Sequence, residues 1–121
     1  MIGIGIDAVD IDRFRRSLER TPRLVDRLFT EGERTYAARR NDPTERLAAR
    51  FAAKEAVMKA MGVGLGSFGF HDVEVIRAES GAPSLVLRGA AQDLARSRGI
   101  TNWHVSLTHT ALIAQAVVVA S

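Results

Sequence analysis

Cysteine is absent from this 121-residue chain. That excludes a disulfide framework, thiolate chemistry and zinc–thiolate sites, and it fits a cytoplasmic protein. Long apolar runs are missing as well. Nothing approaches the ~18 apolar residues of a membrane span, and the opening residues alternate instead of forming a signal-peptide block, so no membrane contact is expected. Aromatic residues are sparse, with one tryptophan, one tyrosine and five phenylalanines. They form no stacking pair or nucleic-acid motif, and acids nearly balance bases, which argues against a nucleic-acid partner. There are no internal repeats or low-complexity segments. The length suits one domain over residues 1–121, with a core but little spare stability.

Charge is present but uneven. The net charge is +3, and residues 1–62 hold 13 of the 17 lysines and arginines against 10 acids. A basic, arginine-dominated first half favours an acidic or phosphorylated partner.

The most informative stretch is Arg46–Gly62, Arg-Leu-Ala-Ala-Arg-Phe-Ala-Ala-Lys-Glu-Ala-Val-Met-Lys-Ala-Met-Gly. It predicts a helix rich in alanine and free of proline, with Gly62 as its C-cap glycine. Leu47, Phe51, Met58 and Met61 form an apolar seam. Ala48, Ala52 and Ala56 line one flank and Ala49, Ala53 and Ala60 the back, where a surface helix would be polar. The helix therefore reads as enclosed on most sides. Charges on such a helix, Arg50, Lys54, Glu55 and Lys59, need partners. The plain account of Glu55 and Lys59 is an i,i+4 ion pair worth about 0.2–0.5 kcal/mol.

Residues 1–7 alternate, with Ile2, Ile4 and Ile6 on one face of a strand and Gly3, Gly5 and Asp7 on the other. Two glycines on one face imply close approach by another body. Asp7 ends that strip; it is either a turn or cap residue or a ligand facing a cleared surface. A helix follows from about Asp10 with Ile11, Phe14 and Leu18 inward. Thr21-Pro22 reads as an N-cap and first turn of a second, short helix. Arg13, Arg16, Arg20, Arg23 and Arg27 form an outward basic band, either solvated or docking an acidic partner. Thr30-Glu31-Gly32-Glu33 is a capping box, which gives Glu33 a complete structural role. Glycines 62, 64, 66 and 69 form a loop able to cradle an anion, although it matches neither a P-loop nor a Rossmann turn. Strands are predicted at Asp72–Arg77, Ser84–Arg88, Asn102–Thr108 and Ile113–Ala120, and a helix at Ala90–Arg98. The final strand is nearly all apolar, hence central or at an interface. His109 continues the face of Trp103, Val105 and Leu107, as a turn residue or a phosphate donor. Antiparallel hairpins without regular βαβ alternation give α+β.

Read together, three separated stretches make a set: Gly3-Ile-Gly-Ile-Asp7 with Arg13-Phe14, Arg50 to Gly62, and Trp103-His-Val-Ser-Leu-Thr-His-Thr110 with Ala114-Gln-Ala-Val. The set resembles the holo-acyl-carrier-protein synthases, the small bacterial class of 4′-phosphopantetheinyl transferases, over essentially the full chain. The middle motif, Phe-Ala-Ala-Lys-Glu-Ala-x-x-Lys-Ala-x-Gly, is the most specific. The chain departs from the pattern at Ala8, Ala49 and Ala82 and in the spacing of Arg39-Arg40.

The resemblance implies an antiparallel sheet packed with a long central helix and short helices. It implies transfer of the phosphopantetheine arm of coenzyme A to a serine of an acyl carrier protein, leaving adenosine 3′,5′-bisphosphate. Asp7 and Glu55 match the family's Mg²⁺ ligands, and Lys59 matches its motif lysine, which neutralises transition-state charge. Arg50, Lys54, Gly62, Gly64, His109 and Thr110 match positions facing the coenzyme. The serine proton goes to a metal-bound water, Lys59 or Glu33. The basic band Arg13, Arg16, Arg20, Arg23 and Arg27 matches the dock for an acidic carrier protein. A homotrimer with active sites between subunits is implied too. Two other readings stand beside this one: an arginine-using nucleic-acid module, and a homologue that has lost its chemistry.

Overall fold

A computed structural model describes residues 1–121. The chain runs β1 (Gly3–Asp10), α1 (Ile11–Arg20), α2 (Leu24–Leu28), α3 (Glu31–Ala37), α4 (Thr44–Ala60), a 3₁₀ turn (Phe70–Asp72), β2 (Val73–Arg77), β3 (Pro83–Leu87), α5 (Gly89–Ser97), β4 (Trp103–His109) and β5 (Ile113–Ala120). Strands β1, β5 and β4 form an antiparallel sheet in that order, and β2 and β3 a separate hairpin. This is the α+β arrangement expected. The apolar last strand is the central one of its sheet, which answers its composition.

α4 lies across the inner face of the larger sheet. Its alanines Ala48, Ala49, Ala52, Ala53, Ala56 and Ala60 are all buried, as the alanine walls predict. It ends in a Schellman motif: Val63 N–H bonds the Met58 carbonyl at 3.0 Å, Gly62 N–H bonds Lys59 at 3.1 Å, and Gly62 has φ +70°. The body that approaches the β1 glycines is this helix. A Cβ on Gly3 or Gly5 would stand 1.9 Å from the carbonyl oxygen of Ala60 or Ala56 respectively. The alternation of β1 thus turns its glycines inward and leaves Ile2, Ile4 and Ile6 at 50–59% exposure on the outer face.

Some boundaries differ from expectation for local reasons. β1 continues through Asp10 because Ala8, Val9 and Asp10 keep pairing with Gln115, Ala114 and Ile113. Asp10, not Asp7, caps α1, accepting from Arg13 N–H at 2.9 Å. Thr21 offers α2 its carbonyl, not its side chain: Leu24 N–H bonds Thr21 O at 3.0 Å, and α2 starts only at Leu24. The Thr30–Glu33 capping box forms with both of its hydrogen bonds.

Candidate active site

Tight packing of β1 on α4 sets two carboxylates side by side. Asp7 leaves the inner face of β1 at the end of the glycine strip, and Glu55 projects from the adjacent flank of α4. Both line one cleft of about 330 Å³ with Ala8, Val9, Asp10, Arg13, Phe14, Ser17 and Phe51. Phe51 forms the apolar wall, 5.3 Å from the Phe14 ring and 5.8 Å from the Phe70 ring. Partial burial and the neighbouring charge of Asp7 hold the Glu55 carboxyl above its ordinary pKa, against the pull of Lys59. Two like charges kept together at a cleft mouth suit a divalent cation. The pair is incomplete as a cage, since no group of three or more histidine, cysteine or carboxylate ligands exists. Magnesium is commonly held this way, by one or two carboxylates with substrate oxygens and water filling the rest.

Lys59 does not make the expected i,i+4 pair with Glu55. Its ammonium crosses to β1 and donates to Asp7 Oδ1 and the Ile6 carbonyl, each at 3.0 Å. It remains more than half exposed and faces a neighbouring surface pocket with Ile2, Gly3, Ile4 and Gly62, meeting the carboxylate cleft through its bond to Asp7.

The opposite flank of α4 carries a second polar cavity, lined by Tyr36, Arg40, Asp42, Glu45, Arg46, Ala49, Arg50, Arg77, Leu107 and His109. Four guanidinium groups surround the Tyr36 ring: Arg46 at 4.2 Å, Arg50 at 4.4 Å, Arg39 at 5.5 Å and Arg77 at 5.8 Å from its centroid. None of the four has a carboxylate partner. Arg50 is 2% exposed, its Nε has no hydrogen-bond partner, and burial lowers its pKa. A cation cluster without carboxylate partners, with Arg50 buried, Arg46 half-buried and Arg39 and Arg77 exposed, suits a phosphate. His109 Nδ1 lies 3.5 Å from Glu45 at the same cavity. Tyr36, Arg46 and Arg77 went unrecognised in the sequence; the only local signal was the arginine-rich break before α4.

The other expected coenzyme contacts divide. Lys54 is fully buried and bonds Glu33, Phe70 O and Val73 O, which commits its three hydrogens inside the core. Glu33 is likewise buried and accepts from Thr30 N–H, Val75 N–H and Lys54. The Gly62 N–H is committed to the helix cap, whereas Gly64 lies in open space. Thr110 organises the β4–β5 turn, its hydroxyl oxygen accepting from Leu112 and Ile113 N–H at 3.1 Å. Within one chain, α4 therefore separates Arg50 and His109 from Asp7, Glu55 and Lys59. The band arginines Arg13, Arg16, Arg20, Arg23 and Arg27 are all exposed, and none is in a salt bridge; Arg13 reaches the rim of the carboxylate cleft.

Known proteins share this fold. The family model described as the 4′-phosphopantetheinyl transferase superfamily matches residues 3–116. A holo-[acyl-carrier-protein] synthase of Moorella thermoacetica is 47% identical over 117 residues, 97% of this chain and 91% of that protein. The solved holo-[acyl-carrier-protein] synthase of Neisseria meningitidis superposes with TM-score 0.91 at 29% identity, covering 100% of this chain and 98% of the other. That of Helicobacter pylori, in complex with coenzyme A, superposes with TM-score 0.86 at 31% identity, covering 98% and 99%.

Proposed function

The chain belongs to the 4′-phosphopantetheinyl transferase superfamily, and we propose that Asp7, Glu55 and Lys59 carry its chemistry. The reaction is that of the holo-[acyl-carrier-protein] synthases: the phosphopantetheine arm of coenzyme A passes to a serine of apo acyl carrier protein. The serine oxygen–phosphorus bond forms, the pyrophosphate bridge breaks, and adenosine 3′,5′-bisphosphate leaves. The observation that carries the assignment of roles is the coupling of Asp7 and Glu55 in one cleft, with Lys59 bonded to the first.

Asp7 and Glu55 hold Mg²⁺, which when bound neutralises charge on the pyrophosphate oxygens. Lys59, anchored by Asp7 and the Ile6 carbonyl, directs its remaining hydrogen at the phosphoryl group and stabilises the charge that develops there. Phe51 and Phe14 exclude water from one side of the cleft. Arg50, Arg46, Arg77 and Tyr36, with His109, bind a phosphate of the coenzyme's nucleotide end; Gly64 and Thr110 border the same ligand. The unpaired arginines of α1 and α2 dock the acidic carrier protein and deliver its serine past Arg13.

The two half-sites become one by assembly. Residues 1–121 act as a single transferase domain that forms a homotrimer, in which one copy's carboxylate cleft meets a neighbour's arginine–tyrosine cavity. The exposed Ile2, Ile4 and Ile6, of which Ile4 pairs in register with Val119 and Ile6 with Val117, supply the apolar contact. The cysteine-free composition supports a cytoplasmic setting. The test is incubation with apo carrier protein, coenzyme A and Mg²⁺, followed by intact mass. A phosphopantetheine adduct with the wild type and none with Asp7→Asn supports the roles; equal adduct from both refutes them.

A further inference from the structure

The chain has two lysines on α4, and only Lys54 is wholly shut from solvent. Its three hydrogens go to Glu33 Oε1 at 2.8 Å, Phe70 O at 2.7 Å and Val73 O at 2.6 Å. Glu33 in turn accepts from Thr30 N–H at 3.0 Å and Val75 N–H at 2.9 Å. One ion pair thus ties α4 to the start of α3, the 3₁₀ turn and β2. Stability alone is a poor reason for it, because apolar side chains of similar volume usually replace a buried pair at no loss.

The interface between α4 and the strand that carries Asp7 supplies a better reason. It is smooth. Gly3 and Gly5 present no side chains, and Ala56 and Ala60 present only methyl groups. Interlocking side chains normally fix how far a helix slides along its neighbour. Here the glycine strip offers no side chain to interlock, and the half-exposed Lys59, bonded to Asp7 and the Ile6 carbonyl, is the side chain that crosses from α4. Lys54 sits one residue before Glu55, a rise of about 1.5 Å on the same helix, so any slide or turn it prevents is transmitted to Glu55 undiminished.

We propose that the Glu33–Lys54 pair is a registration pin: it fixes the axial and rotational setting of α4 on the glycine strip, and so keeps Glu55 and Lys59 opposite Asp7. Lys54 is then a positioning residue that touches neither coenzyme nor metal. The inference rests on the roles assigned above to Asp7, Glu55 and Lys59.

Lys54→Met alone leaves a buried glutamate unpaired and unfolds the chain or weakens it severely, so the test removes both charges. Glu33→Gln with Lys54→Met keeps one amide acceptor for the capping-box or Val75 N–H and fills the lysine's path; Glu33→Leu with Lys54→Leu is the apolar alternative. Two quantities are read on the folded protein: the kcat and coenzyme KM, and the nuclear Overhauser contacts of Gly5 Hα with Ala56 and of Gly3 Hα with Ala60. The pin predicts a cooperative fold, kcat down by about tenfold or more, coenzyme KM within about twofold, and weakened or shifted strand–helix contacts. Wild-type kcat with unshifted contacts overturns it. A raised KM with unchanged contacts overturns it in favour of a direct coenzyme ligand. Failure of both double variants to fold overturns the separation of register from stability. Glu55→Gln runs beside them: if it turns over normally, the site reading itself fails, whereas an inactive Glu55→Gln beside an active pin variant sinks only the pin.

Discussion

Gly5→Ala adds one methyl group where strand and helix touch. The new Cβ would lie 1.9 Å from the carbonyl oxygen of Ala56 and 2.8 Å from the amide nitrogen of Ala60. Both are backbone atoms of the C-terminal end of α4, so no side chain can swing aside. Ordinary contact begins near 3.4 Å, and β1 must withdraw from the helix by the shortfall, about 1.5 Å. Overpacking costs about 1–3 kcal/mol, and a clash with rigid backbone belongs at the upper end. At this chain length that is a fall of roughly 10 °C in Tm. The withdrawal also carries Asp7, two residues along the same strand, away from Glu55 and breaks its 3.0 Å contact with Lys59. Misplacement on the ångström scale costs on the order of 100-fold in rate. The assay pairs a thermal melt with the rate of carrier-protein modification followed by mass. Gly69→Ala is the control, since nothing lies within 4 Å of a Cβ there and its φ is not positive. Gly5→Ala protein that melts within about 2 °C of wild type and keeps its kcat within about twofold would refute the close-packing argument.

Four other expectations follow from the same geometry. Glu55 has a folded pKa raised above its ordinary value of 4.5, so the folded state binds more protons, and metal-free stability falls as pH rises through that window. Glu55→Gln removes the effect: it abolishes transfer yet raises the metal-free Tm near neutral pH, and a lowered Tm there contradicts the reading. Arg50→Lys loses the flat contact with Tyr36 and raises the coenzyme KM by about tenfold, or ~1.4 kcal/mol, with kcat little changed; an unaltered KM removes Arg50 from the phosphate site. Arg16→Glu with Arg20→Glu raises the carrier-protein KM by about tenfold or more at low salt and leaves the coenzyme KM alone; equal loss on both substrates argues for misfolding instead of docking. Ile4→Glu places a charge in the outer apolar row and, if the proposed trimer forms, shifts sedimentation to monomer with loss of turnover; an active monomer would show that one chain suffices.

The parts of the molecule written locally were legible. The enclosed helix could be read from its alanines, the close approach from Gly3 and Gly5, and the caps at Thr30 and Gly62 from residue type and spacing. The fold and reaction followed from three motifs together. What escaped was set by which flank of α4 a side chain leaves. Lys54 and Lys59 look alike in a one-dimensional chain, yet one is spent inside the core and the other crosses to Asp7. The Glu55–Lys59 spacing suited a local pair, but a carboxylate on another element competed better. The arginine cluster around Tyr36 draws on α3, the following loop, α4 and β2, so no short window contains it. The outward isoleucines run against the usual burial of a strand's apolar face, because glycines were needed where the helix comes close.

The most direct measurement is the binding of Mn²⁺, a paramagnetic stand-in for Mg²⁺, followed by relaxation of side-chain carboxyl carbons in the full-length protein with coenzyme A present. Broadening of the Asp7 and Glu55 signals at the same metal concentration, lost for both in either Asp7→Asn or Glu55→Gln, is the result expected. Broadening of only one carboxylate, or binding that survives both substitutions, would contradict a shared ion.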